Sequence, residues 1–178
     1  RLDLRMMLNE TTLPFVVIGA AAILFVLFYF RTFITFVSGS WYEQKEPGGP
    51  IQEIHLSQFG PWVWGWAKVP GGQSLFRGWF NGSVLKLRRR DHGAAYFQHL
   101  GFPEAVVPTL NGSEMARAEL RFNKAKQLLE GDHYPQKIDI SRTRPPKVMG
   151  RVYITPTPRT WVRNPKQFPS IPHQPSQP

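Results

Sequence analysis

A chain of 178 residues with a formal net charge of +10 and a pI near 10.3 suits acidic partners: anionic lipid, nucleic acid or an acidic protein face. It contains no Cys, which excludes disulfide frameworks, thiolate nucleophiles and Cys-ligated zinc or iron–sulfur sites. The length suits one domain with appendages.

The first element is the uncharged run LPFVVIGAAAILFVLFYF, Leu13 to Phe30, with apolar character continuing to Val37 past Arg31. A bilayer core of about 30 Å needs roughly 20 apolar helical residues. The run shows no polar stripe and no small-residue cleavage site after a short apolar core, so it predicts a single-pass transmembrane anchor over residues 1–38. Leu13 and Phe30 bound it, and Arg31 is placed to snorkel to the headgroups. Arg1 and Arg5 before the span balance Arg31 and Lys45 after it, so charge does not set orientation. The common signal-anchor plan predicts an extracytoplasmic domain.

After the turn EPGGP, Glu46–Pro50, come IQEIHLSQFG, PWVWGWAKVPGG, QSLFRGWFNG and SVLKLRRRDHG. Their apolar residues alternate with period two, as half-buried strands require. The separators FGP, VPGG and FNGS read as hairpin turns. An antiparallel meander closing into a small barrel or sandwich is expected. Trp62, Trp64 and Trp66 share one face of the second run, and these rings with Trp79 are expected to fill the interior.

The stretch GSWYEQK, Gly39–Lys45, resembles the G-x-W-Y start of lipocalin-type barrels, and IHLSQFGPWVWGW resembles a hairpin of such meander domains. The likeness covers Gly39 to Arg90. It implies a barrel-like fold in which Trp41 packs over one end beneath an Arg from a late strand, with Arg151 as the candidate. Ligand transport is not carried over.

Farther along, SEMARAELRFNKAKQLLEG reads as one packed helix over residues 113–130. Ser113 is its N-cap, Gly131 its C′ residue, and Met115, Ala118, Phe122, Ala125 and Leu129 its apolar stripe. QKIDISR and VMGRVYITP read as closing strands of a β-rich domain spanning residues 39–155. From residue 156 to 178 the Pro- and Gln-rich sequence predicts a disordered basic tail. The whole is expected to be a transmembrane helix followed by a mainly-β (α+β) domain.

Among the five His, none has zinc-protease spacing, and no Asp or Glu cluster completes a metal triad. No nucleophile–base pair, phosphate-cradling Gly loop or believable carboxylate pair is present, so no enzymatic activity and no cofactor is expected. RRRDHG, Arg88–Gly93, is the most chemically loaded stretch. It reads either as an anion or headgroup site of Arg88, Arg89 and Arg90 oriented by Asp91, or as a basic strand end with a turn. The sequons at Asn9, Asn81 and Asn111 also match ordinary turn chemistry. Late in the chain, Arg142, Arg144, Lys147, Arg159 and Arg163 are candidate contacts to anionic lipid or an acidic partner. Nucleic acid is not expected, because no RRM, KH or helix-turn-helix pattern accompanies the charge. Two functional readings follow. One is a non-enzymatic accessory subunit of a membrane complex, docking through its basic β-domain and tail, with lipids and other subunits as partners. The other is a membrane-tethered barrel that binds an apolar or anionic, lipid-like ligand.

Overall fold

The structure, a computed structural model, describes residues 13–168, and all of their side chains except those of residues 13 and 28–34. Its centre is a closed, eight-stranded antiparallel barrel. The strands are β1 (Gly39–Gln44), β2 (Ile51–Phe59), β3 (Trp62–Val69), β4 (Gly72–Phe80), β5 (Val84–His92), β6 (Glu114–Asn123), β7 (Leu128–Ile140) and β9 (Thr157–Val162). Each of β1 to β7 pairs with the next, and β9 closes the ring between β7 and β1. The ninth strand, β8 (Val148–Tyr153), pairs only with the far half of β7, so the two form a hairpin beyond the barrel rim. Before β1 the chain forms α1 (Leu13–Ile34), and between β5 and β6 lie the short helices α2 (Ala94–His99) and α3 (Val107–Leu110).

Alternation along the strands decides what the barrel encloses. Ile54, Leu56, Val63, Phe76, Phe80, Leu85, Leu87, Leu120 and Leu129 turn inward and form one core with Trp41 and Trp161. A second cluster of Phe97, Val106, Val107, Leu110 and Met115 packs the α2–α3 segment against the rim.

The G-x-W pattern has a direct cause at one end. Gly39 adopts φ +113, which L side chains rarely tolerate, and a Cβ there would collide with the Arg163 guanidinium. That guanidinium stacks over the Trp41 ring with Cζ 4.0 Å from its centroid. Trp41 is fully buried and donates its Nε1–H to the Val37 carbonyl at 2.7 Å. The late-strand Arg that covers Trp41 is therefore Arg163. Arg151 lies elsewhere, exposed, and donates to the Thr109 carbonyl at 3.1 Å.

Three expectations are corrected. Among the described residues no helix is long and apolar enough to cross a membrane, so the single-pass anchor is not supported, nor is the membrane placement with an extracytoplasmic domain that depended on it. The end of the apolar run also serves the barrel: Val37 is buried in the core and its N–H donates to Gln58 Oε1 at 2.9 Å. The expected anchor side chains of Leu13, Phe30 and Arg31, like Asn9, lie outside the described residues.

The expected helix over 113–130 is instead β6, a turn, and the start of β7. Ala116, Ala118, Leu120 and Phe122 face inward while Arg117, Glu119 and Arg121 face out. Ala, Glu, Leu and Arg favour helices, but pairing on both sides within a closed sheet overrides that preference. Ser113, rather than capping a helix, donates its hydroxyl to the Leu110 carbonyl at 2.6 Å.

The expected disordered tail begins with β9, the strand that closes the barrel, and Trp161 and Val162 are buried in it. Pro158 sits opposite Asp132 of β7 on one side and has no partner on the other, because β9 meets β1 only at Trp161 and Val162. Residues 169–178 lie outside the described residues.

Candidate functional site

Inward positions nearer the rim abandon apolar side chains. Beyond Trp41, β1 turns Glu43 inward, and Lys45, just past the strand end and exposed, lines the cavity; beyond Leu87, β5 turns in Arg89 and Asp91. β4 contributes Ser74, β7 contributes His133, and β9 contributes Arg159. Together with Phe76, Leu87, Tyr96, Met115 and Trp161 they line a cavity of about 390 Å³ within the barrel.

Asp91 is fully buried and accepts the Ser74 hydroxyl at 2.7 Å on Oδ1. Its Oδ2 lies 3.1 Å from Arg89 Nη2, an ion contact that is off the line of a hydrogen bond. In the same way Arg159 Nε approaches Glu43 Oε1 at 3.4 Å without the alignment to donate. Several buried polar atoms on this wall therefore make no hydrogen bond within the protein: Arg89 Nε, Arg159 Nε, Trp161 Nε1, Asp91 Oδ2, Gln136 Oε1 and both ring nitrogens of His133. Buried polar groups without partners are uncommon, because each forfeits its hydration. Here they converge on one space.

The electrostatics of the lumen are positive. Arg89 and Arg159 are matched in number by Glu43 and Asp91, and the exposed Lys45 adds positive charge to the cavity lining. Burial first, then Arg89, Arg159 and Lys45, push the His133 pKa down to about 4, so the ring is neutral at pH 7. The Lys45 ammonium is held below its ordinary value by burial and by the two arginines, against the pull of Glu43. Among the described residues no group of three His, Asp or Glu side chains is placed to hold a metal ion.

His133 makes stability depend on pH. The unfolded chain takes up a proton on this ring below about pH 6.5, whereas the folded protein resists until about pH 4. The neutral-ring contribution is thus complete above about 6.5 and is lost as the pH falls toward 4. Allowing for solvent screening of a partly exposed ring, the loss is about 1–2 kcal/mol. Thermal melts from pH 7 to 4 are expected to fall less steeply for His133→Gln than for the unmodified protein. Parallel curves would place the acid sensitivity elsewhere.

The expected anion stretch is split by strand alternation. Arg89 and Asp91 enter the lumen, while Arg88 and Arg90 are exposed outside. Arg159 is in the lumen, Arg163 covers Trp41, and Arg142, Arg144 and Lys147 sit exposed at the β7–β8 hairpin end. Trp62, Trp64, Trp66 and Trp79 face outward, so they do not fill the barrel. Glu43 and Ser74 were not singled out from sequence, although the phase was readable: Trp41-x-Glu43 and Leu87-x-Arg89-x-Asp91 each continue an inward face.

No family model, curated protein or solved structure matches this chain. Of what the likeness over Gly39 to Arg90 implies, the structure supports the small antiparallel barrel.

Proposed function

We propose that this protein is a non-enzymatic binding barrel whose lumen holds a small amphiphile with a single anionic head. The observation that carries the reading is the convergence of unpartnered donors, Arg89 Nε, Arg159 Nε and Trp161 Nε1, on one positively charged cavity. An anionic head accepts from these donors, and the apolar body lies against Phe76, Leu87 and Met115. A cavity of about 390 Å³ falls at the lower end of ordinary ligand pockets, roughly 300–1,000 Å³. The lipocalin-like closed end, with Arg163 over Trp41, supports the same reading: one end is sealed and the polar groups lie toward the other.

Calorimetric titration with decanoate, and with decanol as the uncharged counterpart, tests it. Decanoate is expected to bind at least tenfold more tightly than decanol. Ala118→Leu narrows the lumen without touching its charges and is expected to weaken decanoate binding. Trp161→Phe, which removes one donor and keeps the ring, is expected to narrow the gap between the two ligands. Equal affinity for acid and alcohol, or indifference to both substitutions, would overturn the lumen as an anion site.

A second reading is a docking subunit of a larger assembly, supported by the exposed aromatic and basic outer face of the barrel. Co-purification with a stoichiometric set of partners, alongside a lumen that ignores decanoate, would favour it over ligand binding.

A further inference from the structure

The outer wall carries a feature that lumen binding does not use. Cross-strand register places Trp64, Arg77, Arg88, Arg117 and Tyr134 directly opposite one another across β3, β4, β5, β6 and β7. With strands about 4.8 Å apart, the row is about 19 Å long. A neighbouring row runs Trp62, Trp79, Lys86, Glu119. Trp62 is 65% exposed, Trp64 48% and Trp79 38%. Between these rows and the β7–β8 hairpin, which contributes Tyr153, lies a groove of about 1020 Å³.

Like charges directly opposite each other destabilise a sheet, yet three arginines stand in line here. Their internal compensation is incomplete. Glu114 accepts from Arg117 at 2.7 Å and approaches Arg88 at 3.9 Å, and it also accepts from the Tyr153 hydroxyl. Lys86 is already paired with Glu119 at 2.9 Å. Among the described residues Arg77 has no ion pair. The row thus lacks negative charge that a partner would supply, and it sets that need beside exposed indole faces.

We infer that this groove binds single-stranded nucleic acid, with backbone phosphates on Arg77, Arg88 and Arg117 and bases stacked on Trp62, Trp64 and Trp79. A flexible chain that alternates anions with planar rings satisfies both halves of the groove. A flat bilayer does not enter a concave groove, and an acidic polymer without rings leaves the indoles bare. No short motif announces the site because its residues come from four separate strands, β3 to β6, and carry no RRM or KH pattern.

The test uses the full chain, a fluorescein-labelled fifteen-nucleotide oligothymidylate, and an abasic strand of the same length and charge. The oligothymidylate is expected to bind with quenching of tryptophan emission. Contact with about three phosphates predicts a slope of log affinity on log salt of about −2. Trp64→Ala is expected to weaken binding about tenfold and leave the slope unchanged, as loss of one stacked base requires. Arg77→Gln with Arg88→Gln is expected to flatten the slope, and because it relieves repulsion at exposed positions the variant folds. Decanoate is expected not to displace the strand, which separates this site from the lumen. Equal binding of the abasic strand would reduce the groove to a general polyanion surface and overturn the inference. So would competition by heparin or by phosphatidylserine vesicles that exceeds competition by unlabelled oligothymidylate, or the absence of binding at low salt.

Discussion

Trp41→Ala is expected to lower the unfolding free energy by about 3–5 kcal/mol, the range for removing a large buried aromatic ring. The ring is fully buried at the sealed end of the barrel and meets Phe122 edge-on at 6.0 Å between centroids. Its loss leaves a cavity that three sets of neighbours line. The Val37 carbonyl also loses the indole donor it accepts at 2.7 Å. Arg163 loses the aromatic face beneath it, while its remaining contacts to the Ser40 and Phe36 carbonyls, at 3.4 and 3.5 Å, are long. Trp41→Phe, which retains a ring, is expected to cost about half as much. Urea denaturation followed by circular dichroism measures both. An unchanged midpoint for Trp41→Ala would show that the ring does not hold the sealed end together.

The first half of the barrel was legible because its signals are local. Hairpin glycines and period-two alternation fix β2 to β5 within a few residues of where they lie, and G-x-W-Y marks β1. The second half was not, because its signals conflict. In residues 114–123 the letters favour a helix while the alternation Ala116, Ala118, Leu120, Phe122 favours a strand. Only the demand of β5 for a partner resolves that conflict, and such a demand is not written locally. β9 hides for a related reason: TPRTWV looks like more of a Pro-rich tail until Trp161 and Val162 are needed to close the ring. The apolar run before the barrel misled in the opposite sense, since its last residue, Val37, is a core residue.

The lumen was half legible. RRRDHG was marked as the most chemically loaded stretch, and it does place Arg89 beside Asp91 at 3.1 Å. Which arginines enter the barrel depends on strand phase, and the same phase sends Arg88 and Arg90 outside. The tryptophans show the limit of composition as a guide. Bulky apolar rings are expected inside, yet the inward slots of β3 hold Val63 and Ala67, and the rings of Trp62, Trp64 and Trp66 occupy the opposite phase.

Asp91→Asn is expected to move stability and affinity in opposite directions, which makes it the sharpest test of the lumen. The carboxylate is fully buried, bonded to the Ser74 hydroxyl at 2.7 Å and in ion contact with Arg89 at 3.1 Å. Tyr96, whose hydroxyl burial and Asp91 together hold above its usual range, also depends on it. Removing the charge strands Arg89 in a poorly solvated site, and breaking such a pair is expected to destabilise the protein by about 3 kcal/mol. The same change removes the negative charge that competes with a bound anion. For a carboxylate head roughly 8 Å away, at an effective dielectric constant of ~20, the gain is about 2 kcal/mol, or about thirtyfold in Kd for decanoate. Decanol, which carries no charge, gains nothing from the substitution. A purely structural role for Asp91 predicts that affinity falls, or stays level, as the barrel loosens. A variant that melts earlier yet holds decanoate more tightly fits only a lumen in which Asp91 sets the charge balance against an anionic guest.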